Sequence, residues 1–175
     1  MGKIIGNLDL ELAKHYSRLL EEGVLHEETG SNYSVAFAGE DAIKFPIGFN
    51  TERFDEYAQE LVHQFNMGSR LSEIGFQGCK MHGVYLEKGE VPFLVMERIF
   101  GLIKPHELKT NERKIAKKQY NEQIELAKRN GFVPGDVYFA GENPDPRKLS
   151  HEANWGFQRK TGLVRFFDFA DWRIN

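Results

Sequence analysis

Residues 8–22, LDLELAKHYSRLLEE, return apolar side chains at helical spacing, with Leu12, Tyr16, Leu19 and Leu20 on one face and Gly23 as a stop signal. The pattern predicts an amphipathic packing helix. The next stretch, VLHEETGSNYSVAFAGEDAIKFP, changes to short β-rich runs broken at Thr29-Gly30-Ser31-Asn32 and at Gly39-Glu40-Asp41. Three short antiparallel strands fit it. From Thr51, an N-cap candidate, a long helical pattern runs through Phe54, Tyr57, Ala58, Leu61, Phe65 and Leu71, with Gly68 weakening or breaking its middle. CKMHGVYLE and VPFLVMERI, on either side of Lys88-Gly89-Glu90, read as a hairpin.

Past Gly101 the character changes. NERKIAKKQYNEQIELAKRNGF is a charged helical stretch whose apolar face is made of Ile115, Tyr120, Ile124 and Ala127, ended by Gly131. VPGDVYFAGENPDPRKLSHEA is rich in Pro, Gly and Asp and reads as a long loop of the kind that carries function or stays disordered. NWGFQRKTGLVRFFDF closes the series as a hairpin turning at Lys160-Thr161-Gly162. No internal repeat or low-complexity tract interrupts this order.

Composition narrows the class. A chain of 175 residues that is 41% apolar and 13% aromatic has the material for a real core, in one domain or two small lobes. With 26 acidic and 23 basic residues intermixed, for a net charge of -3, no broad nucleic-acid footprint is expected. One cysteine, Cys79, excludes an internal disulfide framework and a cysteine-rich zinc site, and favours a reducing compartment. The beginning of the sequence has no apolar signal-peptide core, no run is long enough to cross a bilayer, and Gly6 stands where a myristoylation motif needs Ser or Thr. The expectation is a soluble protein, without a membrane partner, in a cytoplasm or, for a secreted effector, a host cytosol.

Lys44, in the strand-like run DAIKF, has apolar neighbours on both sides. An ammonium held there is partly desolvated and calls for an anion, carboxylate or phosphate; the plainer alternative is a lysine snorkelling from a strand edge. The helix that follows offers Glu56, Glu60 and Gln64 one turn apart on one stripe. Charge favours Glu60 as the partner of Lys44, whereas Gln64 suits the spacing to Leu71 better.

These residues carry a resemblance. AIK on the third strand, the acidic helix and FLVMERIFG resemble the small lobe, hinge and linker of the protein-kinase-like superfamily, including its antibiotic-kinase and atypical branches. The resemblance continues in NGFVPGD, similar to the approach to the catalytic loop, in NWGF, similar to the asparagine strand after it, and in FFDFA, similar to the Asp-Phe-Gly metal site. It spans roughly Val24 to Trp172. It implies an α+β fold with a five-stranded antiparallel N-lobe plus helix over 1–100 and a strongly reduced C-lobe over 101–175.

The same resemblance implies ATP and Mg2+ as cofactors and an acceptor hydroxyl, Ser/Thr on a partner protein or a small molecule. Lys44, with Glu60 or Gln64, would hold the ATP phosphates, and the hinge around Glu97 and Ile99 the adenine. Gly30 and Ser31 fall in the phosphate loop, which is poor in glycine. Asn154 and Asp168, fourteen residues apart, would supply the oxygen ligands that magnesium requires, with Asn143 a weaker alternative. The family's catalytic aspartate stands five residues before that asparagine, where this chain has Leu149. Asp136 matches the aspartate by its upstream context, and His151 is the substitute base. Ala170 replaces the usual glycine after Asp168-Phe169.

Because the sequence ends seven residues after Asp168, the expectation is a minimal kinase core of the sort found among bacterial effectors and phage proteins. The alternatives are a catalytically weak or inactive pseudokinase-like binding module, and an unrelated α+β domain in which Asp168 merely ends a strand.

Overall fold

The computed structural model describes residues 2–29, 32–135, 139 and 154–175. The chain folds into two compact units. The first comprises Met1–Asn66 and Lys80–Arg98, and the second Met67–Cys79 and Ile99–Asn175.

The first unit is built on one antiparallel sheet. Its strands are β1 (Lys3–Gly6), β2 (Glu27–Thr29), β3 (Tyr33–Ala38), β4 (Asp41–Pro46), β5 (Met81–Leu86) and β6 (Phe93–Glu97). They lie in the order β1-β5-β6-β4-β3-β2, every neighbour antiparallel. The sheet therefore has six strands, one more than the five expected. The added strand, β1, is only KIIG, too short for its alternation to register, and it depends on β5 far along the chain. Gly83 makes that pairing possible: a β-carbon there would fall 2.7 Å from the Ile5 carbonyl oxygen and from Leu8 Cβ.

Strand alternation gives the sheet two apolar faces. One carries Ala36, Ile43, Tyr85, Phe93 and Val95 and packs on helix α1 (Leu10–Glu22) through Ala13 and Tyr16. Asp9 caps this helix, its side chain accepting from Leu12 N, and Gly23 closes it in the left-handed conformation at φ 63°. The buried stripe runs through Ala13, Tyr16 and Ser17, so Leu12, expected inside, is exposed. The other face carries Val84, Leu94 and Tyr33 and packs on Leu61, Val62 and Phe65 of helix α2 (Phe54–Glu73). Gly68 does not break α2, which is continuous over 20 residues.

The second unit takes the last turns of α2, from Met67 onward, helix α3 (Thr110–Arg129) and short strands β7 (Leu102–Ile103), β8 (Phe132–Val133), β9 (Trp155–Gln158), β10 (Leu163–Phe166) and β11 (Arg173–Ile174). β9 and β10 form the expected hairpin, extended by β7 on the far side of β9, while β8 pairs with β11. α3 buries Ala116, Tyr120 and Ala127, a stripe at i, i+4 and i+11, which leaves Ile115 half exposed at 51% instead of on the apolar face. Asn130 and Gly131, the latter at φ 81°, end the helix where the sequence implied. The core is aromatic: Phe76, Phe166, Phe169 and Trp172 meet with ring centroids 4.7 to 6.4 Å apart. No helix among the described residues is long and apolar enough to cross a membrane.

Candidate functional site

Lys44 lies in the middle of β4, opposite Val35 on β3 and Leu94 on β6. Its neighbour Ile43 points to the α1 face, so alternation sends Lys44 to the α2 face. There it is 6% exposed and its Nζ donates to Gln64 Oε1 at 2.8 Å. Of the two partners open in the sequence, the structure joins Gln64, not Glu60, to Lys44.

Glu60, one turn earlier on α2, instead accepts from the Tyr33 hydroxyl. Burial, then that bond to the Glu60 carboxylate, pushes the Tyr33 phenol well above the usual tyrosine range. The Lys44 ammonium sits 5.3 Å from the centroid of the same Tyr33 ring. Tyr33 therefore both removes Glu60 from competition and lines one side of the lysine. Sequence reasoning missed it, although the signal was present: Tyr33 is two residues from Val35, which faces Lys44 across the ladder, and so shares its side of the sheet. Glu56, the first acid on the stripe, pairs with Arg53 at 2.8 Å.

The end of β6 is tied down by backbone bonds. Glu97 N donates to Lys80 O at 2.8 Å, and Arg98 N to Glu40 O at 2.8 Å. The Glu97 carboxylate accepts from Lys80 N at 3.1 Å, so this side chain serves to hold the strand end. Ile99, the first residue of the second unit after that boundary, takes part in none of these bonds.

In the second unit Asn154 and Asp168 stand at the open end of the β9–β10 hairpin. The last ladder pair is Trp155 with Phe166, and beyond it Phe167 N donates to Asn154 O at 3.1 Å. The strand is held from outside as well: Cys79 N donates to Phe166 O at 2.7 Å and Phe166 N to Gln77 O at 3.0 Å. Asp168 is half-buried, and its Oδ1 accepts from Ala170 N at 3.1 Å, a turn that fixes the carboxylate against its own backbone. Phe169, the next residue, is 1% exposed and packs edge-on to Phe76 and Trp172. A carboxylate anchored between a strand end and a buried aromatic has a restricted direction, and its oxygen with an amide oxygen suits a hard divalent cation such as Mg2+. This donor set fits the metal that the resemblance implies.

Asp136, His151, Asn143 and Leu149 lie outside the described residues, as do Gly30 and Ser31, which the sequence suggested for a phosphate loop. Gly135, just before Asp136, is described: a β-carbon on it would fall 2.6 Å from Asp171 Cβ. The β8–β11 pairing leads to the same contact, with Val133 opposite Arg173. The chain leading into Asp136 thus runs against the segment that follows Asp168. Among the described residues no group of three or more His, Cys, Asp or Glu side chains is arranged to hold a metal ion.

No protein-family model matches the chain, and no curated protein sequence matches it either. Solved structures do. WbdD in complex with the kinase inhibitor LY294002 superposes with a TM-score of 0.58 at 17% identity, over 86% of this chain and 33% of its own. The aminoglycoside phosphotransferase APH(3'')-Id from Streptomyces rimosus gives a TM-score of 0.54 at 12% identity, over 94% of this chain and 78% of its own. The kinase PK-1 of the Cydia pomonella granulovirus gives 0.50 at 19% identity, over 93% and 57%. The chain thus spans about a third of the length of WbdD. At such identities what is shared is the architecture: this chain is built on a reduced protein-kinase-like fold, with a six-stranded antiparallel N-lobe sheet.

Proposed function

We propose that the protein is an ATP- and Mg2+-dependent phosphotransferase acting on a hydroxyl acceptor, a Ser/Thr side chain of a partner protein or a small molecule. The observation that carries this reading is Lys44, a lysine kept 6% exposed in mid-strand and held by a side chain of the long helix. Burying an ammonium is costly, and a phosphate that it can meet gives it a use. Asp168 and Asn154 support the same reading from the second unit, as the two oxygen donors a metal–nucleotide complex needs.

In this reading Lys44 binds phosphate oxygens and Asp168 with Asn154 holds the metal. The hinge backbone near Glu97 and Ile99 holds the adenine. Magnesium, when bound, neutralises charge on the phosphates as it develops. The acceptor oxygen forms its bond to the terminal phosphorus while the bond from that phosphorus to the ADP oxygen breaks. The hydroxyl proton passes to Asp136 or, failing that, to His151. Phosphoryl transfer of this kind depends on position and charge more than on covalent help from the protein.

Thermal unfolding with and without ATP and Mg2+ tests binding, and transfer of a labelled terminal phosphate to itself or to a cell extract tests chemistry. Wild-type protein whose melting temperature ignores ATP and Mg2+ overturns the proposal. Binding without transfer leaves a nucleotide-binding module in its place. Loss of transfer in Asp136→Ala with binding intact assigns the base to Asp136; unaffected transfer moves the assignment to His151.

A further inference from the structure

Gln64 uses one end of its amide and buries the other. Oε1 accepts from Lys44 Nζ at 2.8 Å. An ammonium can only donate, so the amide cannot be turned round, and Nε2 is necessarily the opposite end. That nitrogen is sealed from solvent with no hydrogen-bond partner among the described residues, on a side chain only 2% exposed. Buried amide N–H groups are rarely left in this state, because their desolvation is then uncompensated. Lys44 cannot satisfy it, being a donor itself. The Tyr33 hydroxyl, which donates to Glu60, does not accept from it either.

Two N–H donors side by side, one cationic and one neutral, make a place for an acceptor-rich anion. A glutamate at position 64 would hold Lys44 more firmly but would turn a carboxylate oxygen toward any phosphate that Lys44 met. A glutamine gives up that charge and gains a donor. We propose that Gln64 is itself a ligand of the nucleotide's phosphates: Nε2 donates to an oxygen of the phosphate group that Lys44 binds, while Oε1 orients Lys44. This assignment rests on the phosphotransferase reading above and adds a specific role for Gln64 within it.

Calorimetric titration with ATP and with inorganic tripolyphosphate, on wild type and on Gln64→Glu, separates a ligand from a mere orienter. If Gln64 donates to phosphate, Gln64→Glu binds tripolyphosphate at least about tenfold more weakly, because a donor becomes a like-charged acceptor. If Gln64 only orients Lys44, the glutamate makes the stronger pair and affinity is unchanged or higher, which overturns the proposal. A second measurement needs no variant: the side-chain 15N amide resonance of Gln64, assigned through its contacts to Lys44, shifts on adding tripolyphosphate to wild type. An amide that stays still while ATP binds overturns this inference alone. Wild-type protein that binds neither ATP nor tripolyphosphate overturns it together with the phosphotransferase reading.

Discussion

Phe167 N donates to the carbonyl oxygen of Asn154 at 3.1 Å, one step beyond the last ladder pair of the β9–β10 hairpin. This bond carries the pairing of two strands into the residues with candidate chemistry, so that Asn154 and Asp168 share an end of the hairpin although fourteen residues separate them. The carboxylate is further fixed by the bond from Ala170 N to its Oδ1 at 3.1 Å. Asp168→Asn keeps an acceptor for that N–H and removes the charge. The variant is therefore expected to fold as wild type and to lose the Mg2+-dependent part of nucleotide binding. A ligand at a hundred times its dissociation constant stabilises by about 2.7 kcal/mol. In a chain of this size that raises the melting temperature by roughly 5 to 11 °C. Differential scanning fluorimetry with ATP, with and without Mg2+, should show this increment in wild type and not in Asp168→Asn.

Lys44→Met separates binding from stability. The substitution leaves Gln64 with neither end bonded, costing about 1–3 kcal/mol, but it also removes a buried charge, whose desolvation opposes folding. These terms offset, and the expected change in unfolding free energy is under about 2 kcal/mol by urea titration. Lys44→Met/Gln64→Leu, which removes the orphaned amide too, should recover most of it. Nucleotide affinity should fall about ten- to hundredfold in Lys44→Met, since a charge-assisted hydrogen bond is worth about 1.5–3 kcal/mol, and further in the double variant, which also loses the Gln64 donor.

Much of this architecture was readable from periodicity alone, and the exceptions have physical causes. The β3–β4, β5–β6 and β9–β10 hairpins have local turns and alternation, so those pairings are written in adjacent sequence, whereas β4 finds β6 across the whole of α2 and β5. β1 is not: four residues cannot show a period, and its partner lies on β5. Helical spacing places Ile115 and Leu12 on buried faces but defines a stripe only to within a residue, and the packed stripes are the neighbouring ones centred on Ala116 and Ala13. Charge alone favours Glu60 over Gln64. In the fold a third side chain intervenes: the Tyr33 hydroxyl, which sequence spacing does not weigh against the lysine, takes Glu60 and leaves Lys44 to Gln64. The reading of the chain as an unrelated α+β domain does not survive the comparison of folds.

Gly78 is required by the ring behind Asp168. A β-carbon at Gly78 would fall 2.9 Å from Cζ of Phe169, a ring 1% exposed and enclosed by Phe76 and Trp172. Gly78→Ala should therefore destabilise the protein by about 1–3 kcal/mol through overpacking. Shortening the ring by Phe169→Leu removes the clash, so the double variant Gly78→Ala/Phe169→Leu should be more stable than the sum of its single changes implies. Additive urea midpoints would show that the ring and Gly78 do not constrain each other.

Glu112 gives the second unit an acid-sensitive anchor. Its carboxylate accepts from Arg159 Nε at 2.5 Å and from Nη2 at 3.1 Å, and also from Lys109 N at 3.0 Å, so it joins the first turn of α3 to the β9–β10 turn. The Arg159 bonds first, and the backbone N–H second, hold its pKa down from 4.5 to about 2. A carboxylate whose pKa is lower folded than unfolded binds fewer protons in the native state across that interval. Its contribution is complete above the unfolded value near 4.5 and disappears as pH falls toward 2. Wild-type stability should therefore rise with pH more steeply between these limits than that of Glu112→Gln, which keeps an oxygen acceptor and has no proton to lose. The two urea-unfolding curves should differ at pH 7 and converge near pH 2. Parallel profiles across the interval would show that the ion pair contributes nothing to folding in solution, as happens for many exposed pairs.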